Sequence, residues 1–152
     1  MNIKVEKWEF DGEKSYRIVE LTKCCNKITE SNVVTLTDDY ENGDDTDYSV
    51  KLMETQIVYD YDDCYETYLY EHINFCPFCG EKIDIEVVKI VDKTEEYLSL
   101  KTQRDELWEK VMKTDSKKKE AKLREQIYEL DRKINELHIN DNFKEGEQWR
   151  EY

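Results

Sequence analysis

Proline is all but missing from this sequence. Pro77 is the single one among 152 residues, glycine occurs four times and histidine twice. With only His72 and His138 there is no Ser/His/Asp set and no HExxH motif, and no glycine-rich phosphate loop is present either. General base chemistry would fall to carboxylates that lack any motif context, so the chain reads as a non-enzyme. Apolar residues are also scarce, at 38% against roughly 45–50% in an average domain. A core that thin in a small domain needs a metal, disulfides or a partner. No apolar run approaches the roughly 20 residues that cross a bilayer, and the opening MNIKVEKWEF lacks the apolar stretch of a signal peptide. The expected place is therefore the cytoplasm, where thiols stay reduced. Five cysteines, an odd number, then read as ligands rather than as disulfides. Bases are outnumbered 23 to 37, for a net charge of −14, which argues against a positive groove for nucleic acid.

What is present falls into patterns. Ile3, Val5, Trp8 and Phe10, the turn dipeptide Asp11-Gly12, and then Tyr16, Ile18, Val19 and Leu21 predict a β-hairpin over residues 2–22, with a phase slip that a bulge would absorb. Lys23-Cys24-Cys25-Asn26-Lys27 reads as a short polar turn. VVTL at 33–36 reads as a strand, and TDDYENGDDTDYS as a loop by composition. Tyr48, Val50 and Leu52 alternate, as do Ile57, Tyr59 and Tyr61, which predicts two further strands. Residues 65–75 and 83–91 read as strands flanking FCPFCG.

From Asp92 the pattern becomes helical, with no glycine or proline until Gly146. Leu100, Leu107 and Val111 keep helical spacing, and Leu123, Ile127, Leu130, Ile134 and Leu137 form an a/d seam. The two seams fall out of register across Thr114-Asp115-Ser116, which are weak helix formers and good caps. An antiparallel helical hairpin fits; one long helix with a discontinuity is the competing reading.

The acidity is local. Residues 38–71 hold twelve acids and one base, Lys51, a net of −11 in 34 residues. The same segment carries seven tyrosines. Aligned as a calcium-binding EF-hand loop from Asp38, it would put Tyr40, a poor ligand, at the third position and Ser49 where a bidentate glutamate belongs, which disfavours a calcium site. Carboxylates interleaved with tyrosines can instead occupy a basic groove on a partner. The plainer alternative is a solvated acidic loop beside strands whose tyrosines pack on a half-buried sheet. The candidate partner-binding residues are Asp38, Asp39, Glu41, Asp44, Asp45, Asp47, Tyr59, Asp60, Tyr61, Asp62 and Asp63.

FCPFCG at 75–80 carries the most specific chemistry. A Cys-x2-Cys turn aims two sulfurs at one ion about 2.3 Å away. Pro77 fixes φ just inside the turn, and Gly80 supplies a conformation that lets backbone N–H groups reach a sulfur. Strands on both sides disfavour a redox pair, which needs a strand-to-helix setting. A tetrahedral Zn2+ needs two more ligands. Cys24 and Cys25 are the leading candidates, although neighbours on a regular strand point to opposite faces, so the backbone must turn there. The set is then Cys24, Cys25, Cys76 and Cys79; Cys64 or His72 in place of one adjacent cysteine remains an alternative.

The cysteine pair after an N-terminal strand, and the later CPFCGEKI, resemble the small CPxCG zinc-ribbon proteins of bacteriophages and mobile elements. The resemblance covers roughly residues 16–85. It implies a structural zinc ion and a viral or mobile-element origin. The acidic insert and the C-terminal helices depart from the short members. The expected fold class is α+β: a small antiparallel zinc-ribbon-like β domain over 1–91, a coiled-coil-like antiparallel helical hairpin over 92–139 and a polar tail over 140–152. The expected function is a non-enzymatic, zinc-stabilised protein-binding module. It would regulate or inhibit a host protein or complex with a basic surface, of the nucleic-acid-handling or defence kind, with no direct contact to nucleic acid or membrane. The rival readings are a structural subunit that forms a homodimer through 92–139, and a nucleic-acid-binding zinc ribbon.

Overall fold

A computed structural model describes residues 1–39, 46–60 and 63–143, with backbone alone for part of the region 37–70. The elements in chain order are β1 (Asn2–Phe10), β2 (Glu13–Thr22), α1 (Asn26–Glu30), β3 (Val34–Asp39), β4 (Thr46–Asp60), β5 (Asp63–His72), β6 (Asp84–Asp92), α2 (Thr94–Met112) and α3 (Lys117–His138). The fold is α+β. One three-stranded sheet has the order β2-β1-β6 and the other the order β3-β4-β5.

β1 and β2 form the hairpin predicted by Asp11-Gly12. Both turn residues have positive φ, 50° and 84°, the conformation of the turn that matches strand twist. Burial changes phase along β1, from Ile3 and Val5 to Phe10. The segment after β2, expected as a polar turn, contains a five-residue helix, α1, that buries Ile28 completely.

In the second sheet all neighbours are antiparallel. β3 pairs with β4 from Val34↔Leu52 to Asp39↔Thr46, and β4 with β5 from Lys51↔His72 to Asp60↔Asp63. Two expectations are corrected here. The supposed loop at 37–49 is strand at both ends, since the ladder continues to Asp39 and resumes at Thr46. The two strands predicted between Tyr48 and Tyr61 are one, the 15-residue β4. The break suggested by Met53-Glu54-Thr55-Gln56 has a physical reason. The β3–β4 ladder ends at Val34↔Leu52, with one further bond from the Met53 N–H to the Val33 carbonyl at 2.6 Å; beyond that the described pairing of β4 is with β5. A two-stranded ribbon buries little, so no apolar alternation is required there. Ile57 and Leu69 are accordingly exposed.

Backbone contacts divide the chain into two compact units. The first holds Met1–Val5, Ile18–Val88 and Asn140–Tyr152. Its buried residues include Ile3, Val5, Ile28, Val34, Leu36, Tyr48, Val50 and Cys76. Asn140–Phe143, the start of the stretch expected as a polar tail, is fastened into this unit. Asp141 accepts the Ile18 N–H at 2.8 Å, and its carbonyl accepts the Tyr48 hydroxyl. The Asn142 amide donates to Thr35 Oγ1 at 2.7 Å, and Phe143 is buried. Trp149 and Tyr152 lie outside the described residues.

The second unit holds Glu6–Arg17 and Lys89–Ile139. Its helices form a hairpin: Arg104 meets Asp131 and Arg124 lies over the Trp108 ring, pairings that run in opposite senses along the two helices. The break comes at Lys113–Ser116, where the sequence placed it. Phe10, Tyr97, Ile134 and Leu137 form the buried cluster, with Trp8 and Leu100 against it. Arg17 donates to the carbonyls of Glu136 and Ile139 at the end of α3 and lies 4.3 Å from the Trp8 ring centre. Among the described residues no helix is long and apolar enough to cross a membrane.

Candidate metal centre

Four cysteine sulfurs converge in the first unit. The Sγ atoms of Cys24, Cys25, Cys76 and Cys79 all lie within 4.8 Å of one another. Each pair is delivered by a local device. At Cys24 the chain bends out of β2; Cys25 is extended (φ −157°, ψ 161°) and is the residue from which α1 begins. That change of direction is what lets two adjacent side chains turn to one point, which a continuous strand forbids. The short helix is therefore part of the site, and composition alone did not reveal it.

The second pair sits on a knuckle between β5 and β6. A β-bridge joins Phe75 to Lys82. Inside it the Cys76 N–H donates to the Glu81 carbonyl at 2.8 Å, and the Gly80 N–H to the Cys76 carbonyl at 2.8 Å. Gly80 has φ +75°, which closes the turn. The N–H groups of Phe78 and Cys79 point to the Cys76 sulfur, and that of Glu81 to the Cys79 sulfur. Both sulfurs of the knuckle thus receive backbone donors, the outer-shell arrangement that stabilises thiolates at metal sites.

The thiols respond to one another. Burial, and then the Cys79 and Cys76 thiols, push Cys24 up to about 12. Burial also works to raise Cys76, but the Phe78 and Cys79 N–H groups and the neighbouring thiols bring it down to about 7. At Cys79 the Glu81 N–H acts to lower the pKa; desolvation and the Cys76 thiol outweigh it, and the net shift is upward. Without a cation, sulfurs this close ionise one at a time. A divalent ion reverses that logic by favouring every thiolate at once.

The donor set fits zinc. Bonds of about 2.3 Å in a tetrahedron place sulfurs about 3.8 Å apart, and Cys25 and Cys76 are separated by 3.7 Å. The four cysteines lie close enough to hold a metal ion. Cys76 is buried, Cys24 and Cys25 are half-buried and Cys79 is exposed, so the cluster reaches the surface of its unit. His72, the alternative ligand, is outside the group and pairs with Lys51 in the β4–β5 ladder. The side chain of Cys64 lies outside the described residues; its backbone pairs with Tyr59 near the far end of β5.

Of the acidic candidates, the described backbone places those it covers at the two ends of β4. Asp38 and Asp39 end β3 and Asp47 opens β4, whereas Tyr59 and Asp60 end β4 and Asp63 opens β5. Twelve residues of β4 lie between Asp47 and Asp60, a span of about 43 Å at about 3.3 Å per step. Glu41, Asp44, Asp45, Tyr61 and Asp62 lie outside the described residues. Along the described backbone the single long strand β4 runs between these two groups. No protein-family model, curated protein or solved structure matches this chain.

Proposed function

We propose that Cys24, Cys25, Cys76 and Cys79 hold one Zn2+ as a closed four-thiolate site, and that the chain is a non-enzymatic binding module of the small phage-type zinc-ribbon kind. The observation that carries the reading is the convergence of four sulfurs within 4.8 Å. A site with four protein thiolates has no open position for water or substrate, so the ion would supply folding free energy rather than chemistry. The fold it stabilises would present acidic ends to a basic surface on a host protein of the nucleic-acid-handling or defence class and inhibit or redirect it. Charge concentrated at −11 in 34 residues supports this, because self-repulsion of that density works against folding and is accounted for by a partner of opposite sign.

The metal reading is tested by elemental analysis of protein purified under reducing conditions. About one zinc per chain is expected, and the cobalt-substituted protein should show the absorption of four thiolates. A metal-free protein would end the proposal. The partner reading is tested separately, by capture from host lysate at low salt with the wild-type chain and with Asp60→Asn/Asp62→Asn/Asp63→Asn. Loss of the captured protein in the variant is expected, and undiminished capture would reject this role for that acidic end.

A further inference from the structure

The four clustered sulfurs sit at a surface rather than deep in a core. Cys79 is exposed, Cys24 and Cys25 are half-buried, and Cys76 is buried. A small oxidant reaches such a cluster without unfolding it. The thiolate, not the thiol, is the form that attacks a peroxide. Ligation of a cation requires deprotonated sulfur, so the arrangement that suits a metal also keeps these sulfurs oxidisable.

The geometry favours one pairing. Cys25 and Cys76 are already in contact, with their sulfurs 3.7 Å apart. A disulfide is about 2.05 Å long, so a closing movement of less than about 2 Å joins them. Cys24 and Cys25 are worse placed for each other. The peptide between them is trans, which fixes their Cα atoms about 3.8 Å apart, below the roughly 4.4–6.8 Å of disulfides. Cys25 is half-buried and Cys76 buried, so the first is the sulfur that meets the oxidant and the second the one that resolves it. We propose that the cluster is a peroxide-sensitive switch, in which a Cys25–Cys76 disulfide takes the place of the metal. This rests on the metal reading above and adds its regulation. The Cys25 thiolate attacks hydrogen peroxide; the O–O bond breaks, hydroxide leaves and Cys25 becomes a sulfenic acid. The Cys76 thiolate attacks that sulfur; the S–O bond breaks, a second hydroxide leaves and the S–S bond forms. The two sulfurs lose two electrons, which the peroxide gains. Cys24 and Cys79 remain, half of the donor set, too few to retain the ion. The loops, 51 positions apart at Cys25 and Cys76, stay joined by the new bond, so a thiol reductant restores the site.

The test uses the zinc-loaded full chain carrying Cys64→Ser, which removes the one cysteine outside the cluster. Zinc and free thiols are counted before and after hydrogen peroxide, with a chromogenic dye too weak to strip the untreated protein. About one zinc should be released for every two thiols lost. Tryptic mapping should join the peptide of residues 24–27 to that of residues 52–82, and fragmentation should place the bond between Cys25 and Cys76. Reductant should restore both thiols and zinc uptake. The wild-type chain should release zinc at the same peroxide dose; release by only one of the two chains would overturn the assignment. Protein without zinc before oxidation would reject the metal reading and the switch together. Zinc-loaded protein that keeps its ion and its thiols in excess peroxide would reject the switch alone. Any other pairing, or sulfinic acid without a disulfide, would also overturn it.

Discussion

Gly80 ends the cysteine knuckle at φ +75°, and nothing lies within 4 Å of where a Cβ would stand. The whole penalty of Gly80→Ala is therefore conformational, roughly 1–2 kcal/mol for a side chain held in the left-handed region. Denaturant unfolding should read that loss, accompanied by weaker zinc retention, since the Glu81 N–H next to it serves the Cys79 sulfur. Cys76 carries more. It is the buried sulfur, with two backbone donors, and 51 positions separate it from Cys25. A link closing a loop of that size is worth about 4 kcal/mol. Cys76→Ser should lose the metal and a comparable amount of stability, whereas Cys64→Ser should keep one metal per chain. Equal metal loss in both variants, measured by elemental analysis, would reopen the ligand assignment.

At the scale of elements, the junction from β6 into α2 makes a pH prediction. Asp92 accepts bonds from the Thr94 hydroxyl and N–H, which hold its carboxyl below the ordinary value of 3.8. A carboxylate whose folded pKa is depressed contributes stability that is present above the unfolded value and is lost as pH falls through the lowered one. Melting temperatures of wild type and Asp92→Ala should therefore differ near neutrality and converge as pH drops below the ordinary aspartate range. A gap that persists at the acid end would assign the effect to something other than the carboxylate. The helices themselves were legible because Leu123, Ile127, Leu130, Ile134 and Leu137 repeat at helical spacing and the register slip marks the turn. α1 was not legible: five residues give no period, and Asn-Lys-Ile-Thr-Glu reads as turn composition. The continuity of β4 is not legible from alternation, because Met53–Gln56 lie where the sheet narrows to a ribbon and alternation has nothing to bury against.

For the whole molecule, the two compact units give metal removal a local signature. The thiols belong to the unit that holds Ile18–Val88, while α2 and α3 belong to the other. Adding a chelator under reducing conditions should raise amide exchange first around Cys24–Glu30 and Asn74–Asp84. Protection in α2 and α3 should fall later or not at all. Simultaneous loss across both units would mean that the ion supports one cooperative structure. A melting temperature unchanged by the chelator would mean that it supports none.

By itself the sequence determined the β-hairpin at Asp11-Gly12, the helical character of the C-terminal third with its break near Ser116, the shortage of core residues and the Cys76–Cys79 knuckle; it named the four cysteines as the leading set and left Cys64 and His72 open. These follow from local turn chemistry, from periodicity and from spacing, all of which are written within a few residues of one another. Tertiary structure alone decided that adjacent cysteines reach one point, because that needs a bend at Cys24 and a helix at Asn26. It also decided that one long strand, β4, runs between Asp47 and Asp60, and that Asp141 and Asn142 fasten to Ile18, Tyr48 and Thr35. Each of these depends on partners distant in sequence, and side-chain period carries no record of them.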